Sequence, residues 1–166
     1  PRLGFKLERG SRSALSDAMR DGAFGGVSGD RFRREFEKLF SDSTLGLNPA
    51  AALRLLADWH VLGALEPGLE LPQQVMTPMR RLGRSIENPP WRFARHRPWV
   101  AGLALWLAEL SPTLRTRTLD RLSVRGETAK RIAGFRKLRD RAVRQVSRSR
   151  GRGAVDAALS ELDEEE

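Results

Sequence analysis

Lys130, Lys137, Arg141, Arg144 and Arg148 recur at steps of seven, four, three and four residues. On a helix turning about 100° per residue they fall within an arc of roughly 60°. Five cations on so narrow a face repel one another, and Asp140 is the one carboxylate read as close enough to help. Such a face suits a polyanion, because each phosphate it neutralises releases condensed counterions and makes binding steeply salt-dependent. Arg31, Arg34 and Lys38 repeat the pattern over a shorter span. There Glu35 is spaced to pair with Arg31 at i,i+4 and with Lys38 at i,i+3. The plain alternative for both faces is a solvated surface on a core helix.

Residues for covalent or metal chemistry are scarce. The chain has no cysteine, which excludes disulfides, thiolate-bound zinc, iron–sulfur clusters and thiol catalysis. His60 and His96 are the two histidines, too few for a multi-histidine metal centre. Asp17 and Asp21 are i,i+4 neighbours without a third ligand. No serine or threonine has a base placed beside it by the pattern. Gly25-Gly26 and Gly151-Arg152-Gly153 lack the spacing of a phosphate-binding loop. Trp91, between Pro90 and Arg92, is the aromatic residue best placed to stack on a base. No catalytic residue and no metal ligand is assigned.

The charge is segregated along the chain. Its 166 residues carry 30 Lys and Arg against 21 Asp and Glu, a net charge of +9. Residues 1–79 hold 10 of each sign, residues 80–152 hold 20 cations and 5 anions, and residues 153–166 hold 6 anions and no cation. Of the 20 cations in the middle block 18 are arginine, whose planar fork matches phosphate. Segregation of this kind points to a polyanionic partner. The acidic end, Asp163-Glu164-Glu165-Glu166, reads as a solubilising tail. The longest uncharged apolar run, Trp99 to Ala108, is about half the length that spans a bilayer, so it reads as a buried helix and no membrane partner is expected.

The elements that must position these faces are helices. β-branched residues are sparse and no stretch alternates apolar and polar for long. Helices are expected over 11–20, 30–40, 48–62, 98–110, 112–122, 127–146 and 154–162, with a weaker one over 73–86 that contains Pro78. Ser28, Asn48-Pro49 and Ser111-Pro112 are the cap signals, and Gly63 is expected to close the 48–62 helix in the left-handed conformation. Ile132, Phe135, Leu138, Ala142, Val143 and Val146 form the apolar side of the 127–146 helix; Phe32, Phe36, Leu39 and Phe40 form that of the 30–40 helix. The expected fold is all-α, an irregular multi-helix bundle of about seven or eight short helices. Asn88-Pro89-Pro90 is the break best marked by composition, dividing the chain into 1–88, 89–152 and a short helix with acidic tail over 153–166.

The segment Leu3 to Pro72 resembles the class II tRNA nucleotidyltransferase and bacterial poly(A) polymerase family. The stretches that carry the resemblance are RLGFKLERGSRSAL, VSGDRFRREFEKLF and AALRLLADWHVLGALEPGLELP. The family's neck helix has the pattern S-x-E-R-[IM]-x-x-E-x-x-K-L-L. Ser28, Arg31, Glu35, Lys38 and Leu39 match it, while Asp30 stands for the usual Glu and Phe40 for the usual Leu. Leu55 to Leu69 is similar to the element next after the neck, with Gly68 in place of Glu. Residues 98–135, including Arg121-Leu122-Ser123-Val124, look like the family's helical body.

The resemblance implies a neck over 1–88 and a basic body over 89–152, together the RNA-binding portion of an enzyme that adds nucleotides to RNA 3′ ends. It implies that the catalytic head lies upstream of Pro1, with its Gly-Ser and Asp-x-Asp motifs and the Asp and Arg that select ATP or CTP. No cofactor is then expected in this chain; Mg2+ and ATP or CTP belong to the head. The expected partners are tRNA or other RNA 3′ ends and the protein's own N-terminal head. The opening at Pro1, without Met or an apolar signal core, leads to the expectation of a cytoplasmic piece of a longer polypeptide. Arg31, Arg34, Lys38, Lys130, Lys137, Arg141, Arg144 and Arg148 become the expected RNA-binding residues. A stand-alone helical module that binds protein or DNA is the alternative.

Overall fold

Cap chemistry sets several helix starts. The Asn48 side chain accepts the backbone N–H of Ala50 at 2.9 Å, and Pro49 fills the first position of the next helix. Ser111 accepts the N–H of Leu114 at 3.3 Å ahead of Pro112. Pro98 fills the first position of a third helix, here without a side-chain cap. The computed structural model describes residues 7–41, 48–87, 97–151 and 153–154. These form α1 (Arg9–Arg20), α2 (Gly29–Ser41), α3 (Pro49–Asp58), α4 (Val61–Leu65), α5 (Met76–Glu87), α6 (Pro98–Leu107), α7 (Pro112–Arg121) and α8 (Gly126–Arg148). Short 3₁₀ turns lie at Ala23–Gly26 and Gln73–Val75. No strand occurs among the described residues, so the architecture is the expected all-α multi-helix bundle.

Three expectations about helix ends are corrected. The helix expected over 48–62 is interrupted at Trp59–His60, and α4 starts at Val61. The left-handed residue there is His60, with φ of 59°, and not Gly63. Its N–H bonds the Ala57 carbonyl at 2.9 Å, so the chain turns three residues earlier than the glycine suggests. Pro78 does not weaken α5, because the helix begins at Met76 and puts Pro78 in the first turn, where an N–H has no helical partner to lose. The helix expected over 154–162 lies outside the described residues apart from Ala154, as do Asn88-Pro89-Pro90 and Trp91.

α6 is apolar almost all round, which is the composition of a helix with neighbours on every side. α2, α5 and α8 all pack against it. Gly102, Leu103, Ala104, Trp106 and Leu107 of α6 are buried. Phe36 and Phe40 of α2 stack at 6.2 Å between ring centroids, and Phe36 meets Trp106 at 5.7 Å. The Trp106 indole N–H donates to the Glu70 carbonyl at 2.8 Å, so this buried ring leaves no polar atom unpaired. Leu53, Leu62, Met79, Leu119, Leu122 and Ile132 complete the core, which draws on residues from both sides of positions 88–90.

The α2–α6 crossing depends on Gly102. A Cβ there would come within 2.6 Å of Cγ and Cε1 of the buried Phe40 ring and closer still to Cδ1. Gly102→Ala is therefore expected to lose about 1–3 kcal/mol through overpacking. Adding Phe40→Leu should return part of that loss. Urea unfolding of the two variants checks this; a Gly102→Ala protein as stable as the parent would contradict the close crossing.

Arginines hold the helices together as much as apolar contacts do. Arg115 of α7 is 8% exposed. Its Nε donates to the Leu107 carbonyl at 3.0 Å, and its Nη2 to the carbonyls of Ala108 at 3.3 Å and Leu110 at 3.1 Å. Its Nη1 reaches the Ala133 carbonyl of α8 at 2.9 Å. One guanidinium thus caps the C-terminal end of α6, where the helix dipole favours a cation, and bridges to α8. Burial pushes its pKa below the ordinary value, as does the neighbouring Arg136, while Glu109 opposes them. Arg121 works the same way at longer range. It donates to the carbonyls of Leu65 at 3.2 Å, Val27 at 3.1 Å and Phe24 at 2.6 Å, and lies 4.6 Å from the centroid of the Phe32 ring.

α7 ends in a Schellman motif that sets the entry to α8. The Val124 N–H bonds the Leu119 carbonyl and the Ser123 N–H bonds the Asp120 carbonyl, both at 2.9 Å. Ser123 takes the left-handed position, φ of 52°, that glycine more often fills.

Candidate nucleic-acid interface

Each of the three helices around α6 turns its apolar face inward, and that rotation fixes where its cations point. On α8, Ile132 is fully buried and Phe135 is packed against the core. The opposite side carries Lys130, Lys137, Arg141, Arg144 and Arg148, all exposed. At 1.5 Å rise per residue this stripe runs about 27 Å along the helix. Lys130 has a carboxylate near it that the sequence pattern missed: Glu127 lies 3.8 Å away and also pairs with Arg131 at 3.9 Å. Asp140 is turned to Arg139, at 3.1 Å, and Arg139 also pairs with Glu109 of the α6–α7 turn, which with Asp140 raises its pKa. Lys137, Arg144 and Arg148 make no ion pair among the described residues.

The apolar side of α8 is shorter than expected. Its periodicity continues to Val146, but Val143 is 59% and Val146 36% exposed. The core ends before the pattern does.

On α2, Phe36 and Phe40 are buried, and Arg31, Arg34 and Lys38 lie on another side of the helix, all three exposed. Glu35 pairs with Lys38 at 2.7 Å. The expected second pair, Glu35 with Arg31, does not form. Arg33 takes the role of the structural cation instead. It is held by Asp30 at 2.9 Å and Glu37 at 2.6 Å, and the Asp30 hydrogen bond leads the causes that raise its pKa. Arg31 and Arg34 are left with no ion pair among the described residues.

A third cationic face is absent from the sequence-based expectations. Arg80, Arg81 and Arg84 of α5 are exposed, while Met76, Met79 and Gly83 of the same helix are buried. By helical projection the three guanidiniums share an arc of about 100°. No acidic residue occurs between 76 and 86, and none of the three makes an ion pair among the described residues. The signal is present as three arginines in five positions, within the helix that Pro78 marks as the weaker one.

The arrangement is therefore three basic helix faces on one apolar axle. Two sets of cations stand apart in it. Arg33, Arg115, Arg121 and Arg139 face inward onto carbonyls or carboxylates. Arg31, Arg34, Arg80, Arg81, Arg84, Lys137, Arg144 and Arg148 reach solvent without a paired acid. The second set can hold a polyanion; no group of three His, Asp or Glu residues that could hold a metal occurs among the described residues. Among the described residues no helix is long and apolar enough to cross a membrane.

No protein-family model matches the chain, and no curated protein matches it. Among solved structures it is similar to a CCA-adding enzyme, in the complex structure of that enzyme with CTP. The likeness has a TM-score of 0.67 at 24% sequence identity and covers 88% of this chain and 34% of the other. At that identity it is a likeness of fold. The helical array described above is the fold of about a third of that enzyme's length.

Proposed function

We propose that this chain is the RNA-holding helical portion of a tRNA nucleotidyltransferase or poly(A) polymerase, an enzyme that adds nucleotides to RNA 3′ ends. The observation that carries the proposal is the joint occurrence of two features. One is a fold shared with part of a CCA-adding enzyme. The other is a set of cationic faces on α2, α5 and α8 whose arginines and lysines largely lack a paired acid. The match of Ser28, Arg31, Glu35, Lys38 and Leu39 to the neck-helix pattern supports the same reading.

The work of this chain is positional. Lys137, Arg141, Arg144 and Arg148, with Lys130, contact the RNA backbone and fix its register, which requires no base recognition. Arg31, Arg34 and Lys38 brace the neck or meet the RNA beside it. Nucleotide transfer, with its Mg2+ and ATP or CTP, belongs to a separate catalytic head in the cytoplasm-resident whole enzyme.

Titrating the purified chain against labelled tRNA tests the proposal, with a DNA duplex of similar length as competitor. Binding to tRNA that falls with salt and resists the duplex is the expected result, and the chain alone should incorporate no labelled ATP or CTP in the presence of Mg2+. Equal binding to the duplex would favour a DNA-interaction module. No binding to either would favour a protein-interaction module.

A further inference from the structure

Gly134 stands inside α8, where glycine is the poorest helix former after proline. The fold itself gives no reason for it. The residue is exposed and has right-handed helical backbone, and a Cβ added there would meet nothing within 4 Å. The interior glycines of α5 and α6 differ in this respect. A Cβ at Gly83 would lie 3.0 Å from Cδ of Pro49, and one at Gly102 would press into the Phe40 ring. At position 134 a larger residue fits the folded chain and forms helix better.

The place of Gly134 on α8 supplies the missing reason. In helical projection it lies about 160° around from the buried Ile132 and within about 60° of Lys130, Lys137 and Arg141, which are all exposed. The basic stripe advances by three or four residues at each step from Lys137 to Arg148, but by seven from Lys130 to Lys137. Gly134 falls in that gap. Lys130 and Lys137, about 10.5 Å apart along the axis, therefore flank a point where the helix backbone is bare. Glycine suits a surface at which a ligand must come close to the main chain.

We propose that the sugar–phosphate backbone of bound RNA makes its closest approach to α8 at Gly134, with Lys130 and Lys137 reaching phosphates on either side. The inference rests on the RNA-holding reading above and adds a steric part to it. The cations supply attraction, and the bare backbone at Gly134 sets how deeply the strand seats between them.

The full chain, Gly134→Ala, Gly134→Leu and a Gly63→Leu control are melted alone and titrated with labelled tRNA at several salt concentrations. Gly63 is also exposed and helical with nothing within 4 Å of an added Cβ, but it lies on α4, outside the three basic faces. Both Gly134 variants should melt about 2–4 °C above the parent. Gly134→Leu should bind tRNA roughly tenfold more weakly with the salt slope unchanged, because no cation is lost. Gly134→Ala should weaken binding less, and Gly63→Leu should bind as the parent does. Parent-like affinity for Gly134→Leu, beside a parent whose binding falls steeply with salt, would overturn this inference and leave the RNA-holding reading standing. Equal weakening by Gly63→Leu, or a Gly134→Leu chain that melts below the parent, would also overturn it. A parent without salt-dependent tRNA binding would remove the reading and this inference together.

Discussion

Arg115→Met is expected to cost about 3–5 kcal/mol of stability, a large share of what a domain of this size holds. Methionine keeps much of the side chain's apolar stem, so little of the loss comes from a cavity. It comes from the carbonyls of Ala108 and Leu110, which lose the donor supplied by a guanidinium that is 8% exposed, and from the lost tie to the Ala133 carbonyl of α8. Removing the cation also removes its favourable interaction with the C-terminal end of α6. Arg115→Lys should recover only a minor part, because one ammonium cannot reach carbonyls on α6 and α8 at once. For a chain of this length the unfolding midpoint should fall by roughly 10 °C or more. Thermal unfolding measured by circular dichroism checks this, and a midpoint within two or three degrees of the parent would show that α6 and α8 are held by packing alone.

The position of Arg115 marks the boundary of what the sequence reveals. Helix existence comes from local chemistry: Asn48-Pro49, Ser111-Pro112 and Pro98 announce their helices, and an apolar segment without charge announces α6. Helix rotation comes from periodicity, which is why the stripe of α8 faces outward as expected. Which arginine turns inward has no such local source. Arg121 finds the carbonyls of Phe24 and Val27 across 97 and 94 residues, and no local pattern encodes that partner. Arginine type and spacing look the same in Arg121 and Arg144, although one is a structural tie and the other is open to solvent.

The differences at helix ends have similar causes. Gly63 is the residue most tolerant of a left-handed turn, yet His60 makes the turn, because Leu62 and Leu65 must both be buried beyond it. The presence of Pro78 in a helical pattern says little, since its distance from the helix start decides its cost. On α8, apolar spacing continues past the edge of the described core, since periodicity records which face is apolar and not how far the neighbouring helices extend.

The second large effect concerns the basic stripe, which is where the proposed function is most exposed to test. Lys137, Arg144 and Arg148 are chosen because each is exposed, lacks an ion pair among the described residues and lies on the side of α8 away from Ile132. Changing all three to Ala should therefore leave the fold intact, as alanine is a good helix former. If each touches a phosphate, the variant releases fewer counterions. The slope of log K against log salt should then shrink in magnitude by about 2–3, at roughly 0.7–0.9 per lost contact, with affinity near 0.1 M salt falling about a hundredfold. The parallel variant Arg80→Ala, Arg81→Ala, Arg84→Ala measures how much of the remaining slope belongs to α5.

The decisive measurement is the tRNA affinity of the parent and of the Lys137, Arg144, Arg148 variant at several salt concentrations between about 50 and 300 mM. The predicted result is a steep line for the parent and a clearly shallower one for a variant of unchanged circular dichroism. Two lines of the same slope would show that the stripe is only a solvated face and would contradict the proposed role.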